Sequence, residues 1–398
     1  MLSRGRRQVA VRQIAMSWGA ALGIWGWIIG GGEAQAESRF TPSVAISERY
    51  DDNPRFSSGR KEGDFATVVS PSIAFRWPGR EVDVTGNIGS SWTQYQKNTD
   101  LSRLSSLGGA TVKADTLTGR LLRDLGLTVN DNYNYTQEFP EFAQFGNVNE
   151  PASGGIQAGR FTTFANTFVA SSFYALSART RLTAGYTNAF TRFSGGSTLV
   201  DSTSNVVTGG WTHVISPLTS VVSEYTSSKF SFGGGTSVQT HGLGVGVRRQ
   251  FLADLNLDVN VGGTYLPSSE RLTHNFNGGL TKKFAAATMG LRFARSVGSS
   301  GGIAALVSTR EILSAFLTYQ VTSSFSVTFT GNHSTTKSIG VRTVDITSYN
   351  LSPGLNFAVN RWTNVTASYT LFNQQFQGSV GTAVNRNLMT IGLTLTWP

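Results

Sequence analysis

Residues 390–398, TIGLTLTWP, alternate strictly between small or polar side chains and large apolar ones. Side chains of a β-strand point in turn to its two faces, so this stretch predicts a strand with one apolar and one polar face. The apolar face would pack on a core in a soluble sandwich and would contact lipid in a membrane barrel. The rest of the sequence has to decide between these environments.

The same alternation continues through the chain. Clear examples are residues 255–265 (LNLDVNVGGTY), 325–334 (FSVTFTGNHS) and 346–359 (ITSYNLSPGLNFAV). The alternating segments run about 10–15 residues, whereas globular strands have roughly 5–6 and tilted membrane strands need roughly 9–11. Their length therefore favours membrane-spanning strands.

The connections between these segments alternate in length as well. Eight short turns alternate with nine longer polar or Gly-rich loops. These 17 connections join 18 strands, and 16 strands is the alternative count. Short periplasmic turns and longer external loops are typical of outer-membrane barrels. The sequence therefore predicts an all-β, transmembrane, antiparallel up-and-down barrel of about 18 strands over residues 37–398, located in the bacterial outer membrane.

Composition excludes several other classes of protein. With no Cys there is neither a disulfide framework nor a thiolate site. The formal net charge is +10, but no run of Lys and Arg indicates nucleic-acid binding. Beyond the N-terminal region, no apolar stretch approaches the roughly 18 residues that suggest a membrane-spanning helix.

The first 36 residues have the features of a secretory signal. A basic segment with Arg6 and Arg7 precedes an apolar one, and Ala34-Gln35-Ala36 forms a small-x-small cleavage site. Residues 1–36 are predicted to be a cleaved signal peptide. The alternative is an N-terminal membrane anchor.

The last strand also carries an expected assembly signal. Thr390, Gly392, Leu395 and Trp397 fit the order polar, x, Gly, x, x, apolar, x, aromatic that the barrel assembly machinery recognises, although Pro398 follows the aromatic residue. An aromatic side chain near a strand end also suits the membrane interface.

One local motif points to a family. In residues 46–75 (ISERYDDNPRFSSGRKEGDFATVVSPSIAF) an aromatic residue precedes Asp-Asp-Asn, and an acidic residue precedes a strand containing Ser-Pro. The residues concerned are Tyr50, Asp51, Asp52, Asn53, Asp64, Ser70 and Pro71. This hairpin resembles the start of a family of porin-like outer-membrane β-barrels from exopolysaccharide export clusters. The resemblance implies a polysaccharide conduit that works with a periplasmic export protein lacking its own outer-membrane span.

Catalytic and metal-binding patterns are not evident in the sequence. His213, His241, His274 and His333 fall in different hairpins without metal-ligand spacing. The Asp51-Asp52-Asn53 run suggests either calcium ligands or an Asx turn, of which the Asx turn is favoured. We therefore expect no enzyme activity, no cofactor and no metal site.

The inward set inferred from the alternation is rich in Ser, Thr, Asn and Gly. Its predicted charged members are Arg76, Asp83, Asp124, Arg248, Asp258, Arg292 and Arg310. An 18-stranded barrel is wide enough for an aqueous channel. Hydroxyl and amide linings suit sugars, although any water-filled barrel has a polar interior.

The longest loop, residues 137–159, is the third external loop. It is predicted either to narrow the channel as a constriction or to pack on its neighbours at the surface. The constriction residues would be Glu138, Phe139, Glu141, Phe142, Phe145 and Glu150.

Two functions remain open from the sequence. The first is export of an exopolysaccharide with a periplasmic partner. The second is diffusion of small solutes, with anions favoured by the net positive charge.

Overall fold

The computed structural model describes residues 38–137, 162–194, 200–252, 254–300, 306–339, 345–377 and 383–397. These residues form a single antiparallel sheet of 18 strands. In chain order the strands are β1 Arg39–Asp51, β2 Asp64–Pro78, β3 Asp83–Tyr95, β4 Arg103–Lys113, β5 Leu125–Thr136, β6 Thr162–Ser177, β7 Thr180–Ser194, β8 Ser202–Ser216, β9 Thr219–Phe232, β10 Ser237–Leu252, β11 Leu255–Leu266, β12 Arg271–Lys283, β13 Ala287–Ser300, β14 Leu306–Gln320, β15 Phe325–Ser338, β16 Asp345–Ala358, β17 Thr363–Gln377 and β18 Ala383–Thr396. The predicted fold class and strand number are confirmed.

The sheet closes on itself. Each strand pairs with its neighbours in sequence, and β1 also pairs with β18 from Ser43 opposite Thr396 to Asp51 opposite Leu388. A closed barrel has no open sheet edge, so its strands satisfy their backbone hydrogen bonds within the sheet. This is a requirement for crossing hydrocarbon with strands.

The outer face is apolar along the middle of the strands. On β10 the side chains of Leu243, Val245 and Val247 are exposed, while the alternate positions point into the barrel. The same pattern recurs on β16, where Leu351 and Leu355 are exposed. An exposed apolar band around a closed antiparallel barrel is the architecture of outer-membrane proteins, and this places the chain in a bacterial outer membrane.

The two ends of the barrel differ in their connections. Short turns such as residues 178–179 and 217–218 lie at one end, whereas the 12-residue link from 52 to 63 lies at the other. Because successive strands alternate in direction, the first residue of β1, Arg39, and the last residue of β18, Thr396, lie at the end of the barrel with the short turns. By the general rule for such barrels that side is periplasmic.

One connection differs from the sequence prediction. The connection between β4 and β5 is one of the eight short turns that the sequence predicts, but it contains a helix, Asp115–Leu121, which we call α1. The Thr118 hydroxyl donates to the Leu125 carbonyl at 2.7 Å, and an Asp115 carboxylate oxygen accepts from the Leu127 amide at 3.0 Å. These contacts tie one helical segment to β5, and its seven residues are too few for a periodic pattern to show in the sequence. None of the helices in the described part of the chain is both long and apolar enough to cross a membrane.

The predicted assembly residues divide between the two faces of β18. Thr390 and Gly392 occupy inward positions, opposite Arg49 and Ser47 of β1, whereas Leu395 and Trp397 occupy outward ones. The Trp397 amide donates to the Pro42 carbonyl at 2.9 Å, which continues the ladder past the end of the strand. Recognition of these residues by the assembly machinery remains a prediction.

We expect Trp397→Ala and Gly392→Asp to lower the amount of assembled barrel in the outer membrane severalfold. Trp397 would lose its interfacial ring, and a Cβ at Gly392 would lie 3.1 Å from Thr366 Oγ1 and 3.2 Å from Ser47 Cβ. Heat-modifiable migration of membrane fractions measures the folded amount. Thr394→Asp, on the same inward face but outside the pattern, is the control. Equal folded amounts in all three variants would contradict the prediction.

Candidate functional site: the lumen and the barrel seam

The inward face of the barrel is lined by hydroxyl and amide groups. On β15, for example, Thr328, Thr330, Asn332 and Ser334 alternate with the outward-facing Phe329 and its neighbours. The inward-facing residues of the neighbouring strand β16 are also mainly Ser, Asn and Gly. The lumen wall therefore offers many neutral hydrogen-bond donors and acceptors and few charged ones.

Three charged residues and a glycine form a row across four neighbouring strands. Arg248 on β10 lies opposite Asp258 on β11, which lies opposite Gly279 on β12, which lies opposite Arg292 on β13. Arg248 Nε donates to the Asp258 carboxylate at 2.7 Å. The two side chains are 60% and 46% exposed, so this part of the lumen is open to solvent.

The other predicted lumen charges are dispersed. Arg76 and Asp83 approach to 3.8 Å beside the β2–β3 turn. Arg310 holds an inward position on β14, between Ser296 and Thr336. Asp124 lies in the turn before β5 with φ +68, so it falls outside the strand in which the alternation placed it. The predicted set therefore does not form a single site.

The predicted constriction residues lie outside the described part of the chain. This holds for Glu138, Phe139, Glu141, Phe142, Phe145 and Glu150, and equally for the predicted signal peptide.

A second, buried cluster joins the first and last strands at the loop end of the barrel. Arg386 on β18 donates from Nε and Nη2 to the two carboxylate oxygens of Asp51 on β1, at 2.9 and 2.5 Å. Both side chains are fully buried. The Phe56 ring lies 4.6 Å from the guanidinium carbon, and the Tyr95 hydroxyl donates to Asp51 at 3.4 Å.

The other two acidic residues of the motif, Asp52 and Asp64, also bind the protein itself. Asp52 accepts from the backbone amide and the side-chain amide of Asn387, at 2.6 and 2.7 Å. Asp64 accepts from the Asn98 amide at 2.7 Å and from its side chain at 2.9 Å. The three acidic residues of the motif are thus hydrogen-bond acceptors within the protein. Asp51 and Asp52 close the seam between β1 and β18, and Asp64 ties β2 to the β3–β4 loop.

The Asx-turn interpretation of Asp51-Asp52-Asn53 agrees with this geometry. The Asn53 amide donates to Asp51 Oδ1 at 3.1 Å, and the Asn53 side chain donates to the Ser57 and Asn385 carbonyls, both at 2.9 Å. Within the described residues no group of three or more His, Cys, Asp or Glu could hold a metal ion. Sequence analysis missed the partners Tyr95, Asn98 and Arg386, because no local pattern links them to the first hairpin.

No protein-family model matches this chain, and a search of curated protein sequences gives no match. Several solved structures are similar. Pseudomonas aeruginosa OccK5 (OpdH) is 12% identical, with a TM-score of 0.47 over 91% of this chain and 99% of that one. P. aeruginosa OpdQ is 8% identical, with a TM-score of 0.48 over 91% and 98%. The outer membrane channel DcaP of Acinetobacter baumannii is 10% identical, with a TM-score of 0.44 over 92% and 99%. Likenesses this distant carry no argument about what the present barrel transports, so its assignment as an outer-membrane β-barrel rests on its own closed sheet and apolar outer face.

Proposed function

We propose that the chain is a passive channel for small hydrophilic solutes across the outer membrane. The observation that supports this best is the contrast between the two faces of one closed sheet. The outer face carries exposed apolar side chains, and the inner face carries hydroxyl, amide and solvent-exposed charged groups such as Arg248 and Asp258.

A lining of this kind suits transport without tight binding. Ser, Thr and Asn side chains exchange hydrogen bonds with hydrated solutes. Conduction requires that a solute bind the wall weakly enough to dissociate and move on. The inward-facing charges already described are mostly Arg, namely Arg76, Arg248, Arg292 and Arg310 against Asp83 and Asp258. A basic excess favours anions over cations in a confined aqueous path.

Export of an exopolysaccharide with a periplasmic partner is the second candidate. It depends on the resemblance of the first hairpin. Two acidic residues of that motif, Asp51 and Asp52, join β1 to β18, and the third, Asp64, holds the loop between β3 and β4. A role in holding the barrel closed is independent of the solute, so we rank diffusion of small solutes above polymer export.

The purified mature barrel should form ohmic, anion-preferring channels in planar bilayers and should let monosaccharides swell proteoliposomes. Swelling with glucose but not with long dextrans supports the small-solute channel. Comparable entry of long dextrans would instead support the polymer conduit. A folded barrel, shown by heat-modifiable migration, that neither conducts ions nor admits glucose would overturn both.

A further inference from the structure

We infer that the lumen wall on β10–β13 holds a binding site for hydroxylated carboxylates, the chemical class of the sugar acids. This inference rests on the proposed channel function and specifies one class of solute for it. The site is the row of Arg248, Asp258, Gly279 and Arg292, which we call the arginine row.

The arginine row lies in a recess of the wall. The recess has a volume of about 760 Å³, within the range of roughly 300–1,000 Å³ common for small-molecule sites. Its lining includes Ser220, Arg248, Asn256, Asp258, Asn277 and Arg292. Arg249 also borders the recess. The recess therefore combines the lumen-facing guanidinium groups of Arg248 and Arg292 with the hydroxyl and amide groups that bind sugar hydroxyls.

Arg292 is the group best placed to receive a carboxylate. Its Nε donates to Asn277 Oδ1 at 3.3 Å, which holds the side chain. In the part of the chain that the structure describes, no acidic side chain forms an ion pair with Arg292. A guanidinium has five N–H donors in a planar fork and binds carboxylates through two parallel hydrogen bonds.

Gly279 provides the space that such a ligand needs. A Cβ at this position would meet no atom within 4 Å, so the wall is open between Asp258 and Arg292. Neighbouring strands are about 4.8 Å apart, so the backbones of Asp258 and Arg292 are separated by roughly 10 Å. A carboxylate over Gly279 reaches the Arg292 fork. Asn256 and Asn277 lie on opposite sides of the row along the strands, so the sugar hydroxyls face one of these two amides.

Asp258 sets the orientation of the ligand and limits its affinity. Its carboxylate repels the carboxylate of the ligand, and it already accepts a hydrogen bond from Arg248 at 2.7 Å. That pair is about half exposed, so water screens it and it contributes little stability. The ligand carboxylate should therefore bind beside Arg292, and removing the charge of Asp258 should strengthen binding by freeing Arg248.

The test uses the full mature barrel folded in detergent, with glucuronate as the probe and glucose as the neutral control of similar size. Calorimetry measures binding directly and does not require the channel to conduct, and block of ion current in planar bilayers is the second readout. Arg292→Gln should weaken glucuronate binding about tenfold, in line with the loss of a charge-assisted hydrogen-bonded pair. Asp258→Asn should strengthen it severalfold.

Arg76→Gln is the matched control. Arg76 also faces the lumen, but it lies on β2 beside Asp83, at 3.8 Å, and does not line the recess. This variant should bind glucuronate within twofold of the unaltered protein. Folding of every variant is checked by heat-modifiable migration.

Binding of a trimeric uronate distinguishes two possible ligands with the same carboxylate and hydroxyl groups, a uronic acid polymer and a free sugar acid. Tighter binding per carboxylate than glucuronate would indicate the uronic acid units of a polymer, and equal binding would indicate free sugar acids. The inference is overturned if glucose binds as strongly as glucuronate, or if Arg292→Gln and Arg76→Gln weaken glucuronate binding equally. A barrel that binds glucuronate as expected but does not conduct would refute the channel function and leave the binding site standing.

Discussion

Replacing Arg386 by Met should lower the resistance of the barrel to urea more than any other single change at its seam. The substitution leaves the Asp51 carboxylate fully buried without the guanidinium that now binds both of its oxygens. Breaking one side of a buried ion pair typically costs about 3–5 kcal/mol, because the remaining charge loses its compensation. The midpoint of urea unfolding in lipid vesicles, followed by Trp fluorescence, measures the effect.

Two further variants separate this mechanism from a general loss of charge. Arg192→Met removes an exposed ion pair with Asp201, at 3.2 Å, and should cost less than about 1 kcal/mol. Asp51→Leu combined with Arg386→Met removes both buried charges and should be more stable than Arg386→Met alone. If Arg386→Met and Arg192→Met shifted the midpoint equally, the seam pair would not stabilise the closed barrel.

Ile73→Arg should destabilise the membrane-inserted barrel by about 2–4 kcal/mol if Ile73 lies near the bilayer midplane. Ile73 points outward on β2, is exposed, and lies opposite the exposed Ile88 of β3. An arginine there would place its charge in hydrocarbon unless the side chain reached the interface. Urea unfolding in vesicles again measures the change.

The adjacent residue provides a stringent control. Ala74 belongs to the same strand but points into the lumen, where it lies opposite Thr41 and Asn87. Ala74→Arg adds the same side chain on the aqueous face, two positions from the inward-facing Arg76, and should change stability by less than about 1 kcal/mol. Equal destabilisation by the two substitutions would show that the outer face of β2 is not in contact with lipid.

The buried cluster gives the motif of the first hairpin a physical role. In a barrel that closes by pairing its first and last strands, the seam is the one contact between neighbouring strands that are not consecutive in the chain, so no turn or loop joins them directly. Asp51 and Asp52 bind Arg386 and Asn387, whose positions are 335 residues away along the chain. A resemblance based on this motif is thus informative about barrel closure, whereas the solute site that we propose, the arginine row, lies elsewhere in the barrel.

The sequence by itself determined the strands, their number and their two faces. Alternation with period two is a local property, and the sorting of turn and loop lengths is visible without any contact between distant residues. It also identified Arg248, Asp258 and Arg292 as inward-facing candidates, because the face of a side chain depends only on its parity within the strand. The same reasoning placed Asp124 on a strand and overlooked helix α1, since neither a turn nor a seven-residue helix has a period to detect.

Only the tertiary structure decided which of these residues meet. A shift of one residue in the pairing of any two strands would move Arg248 away from Asp258, or Gly279 away from Arg292, and register is set by pairing across the whole sheet. The contact of Asp51 with Arg386 exists because the barrel closes, which brings together the two ends of the strand order. Parity within a strand is encoded locally, whereas register and closure arise from the cooperative pairing of all 18 strands.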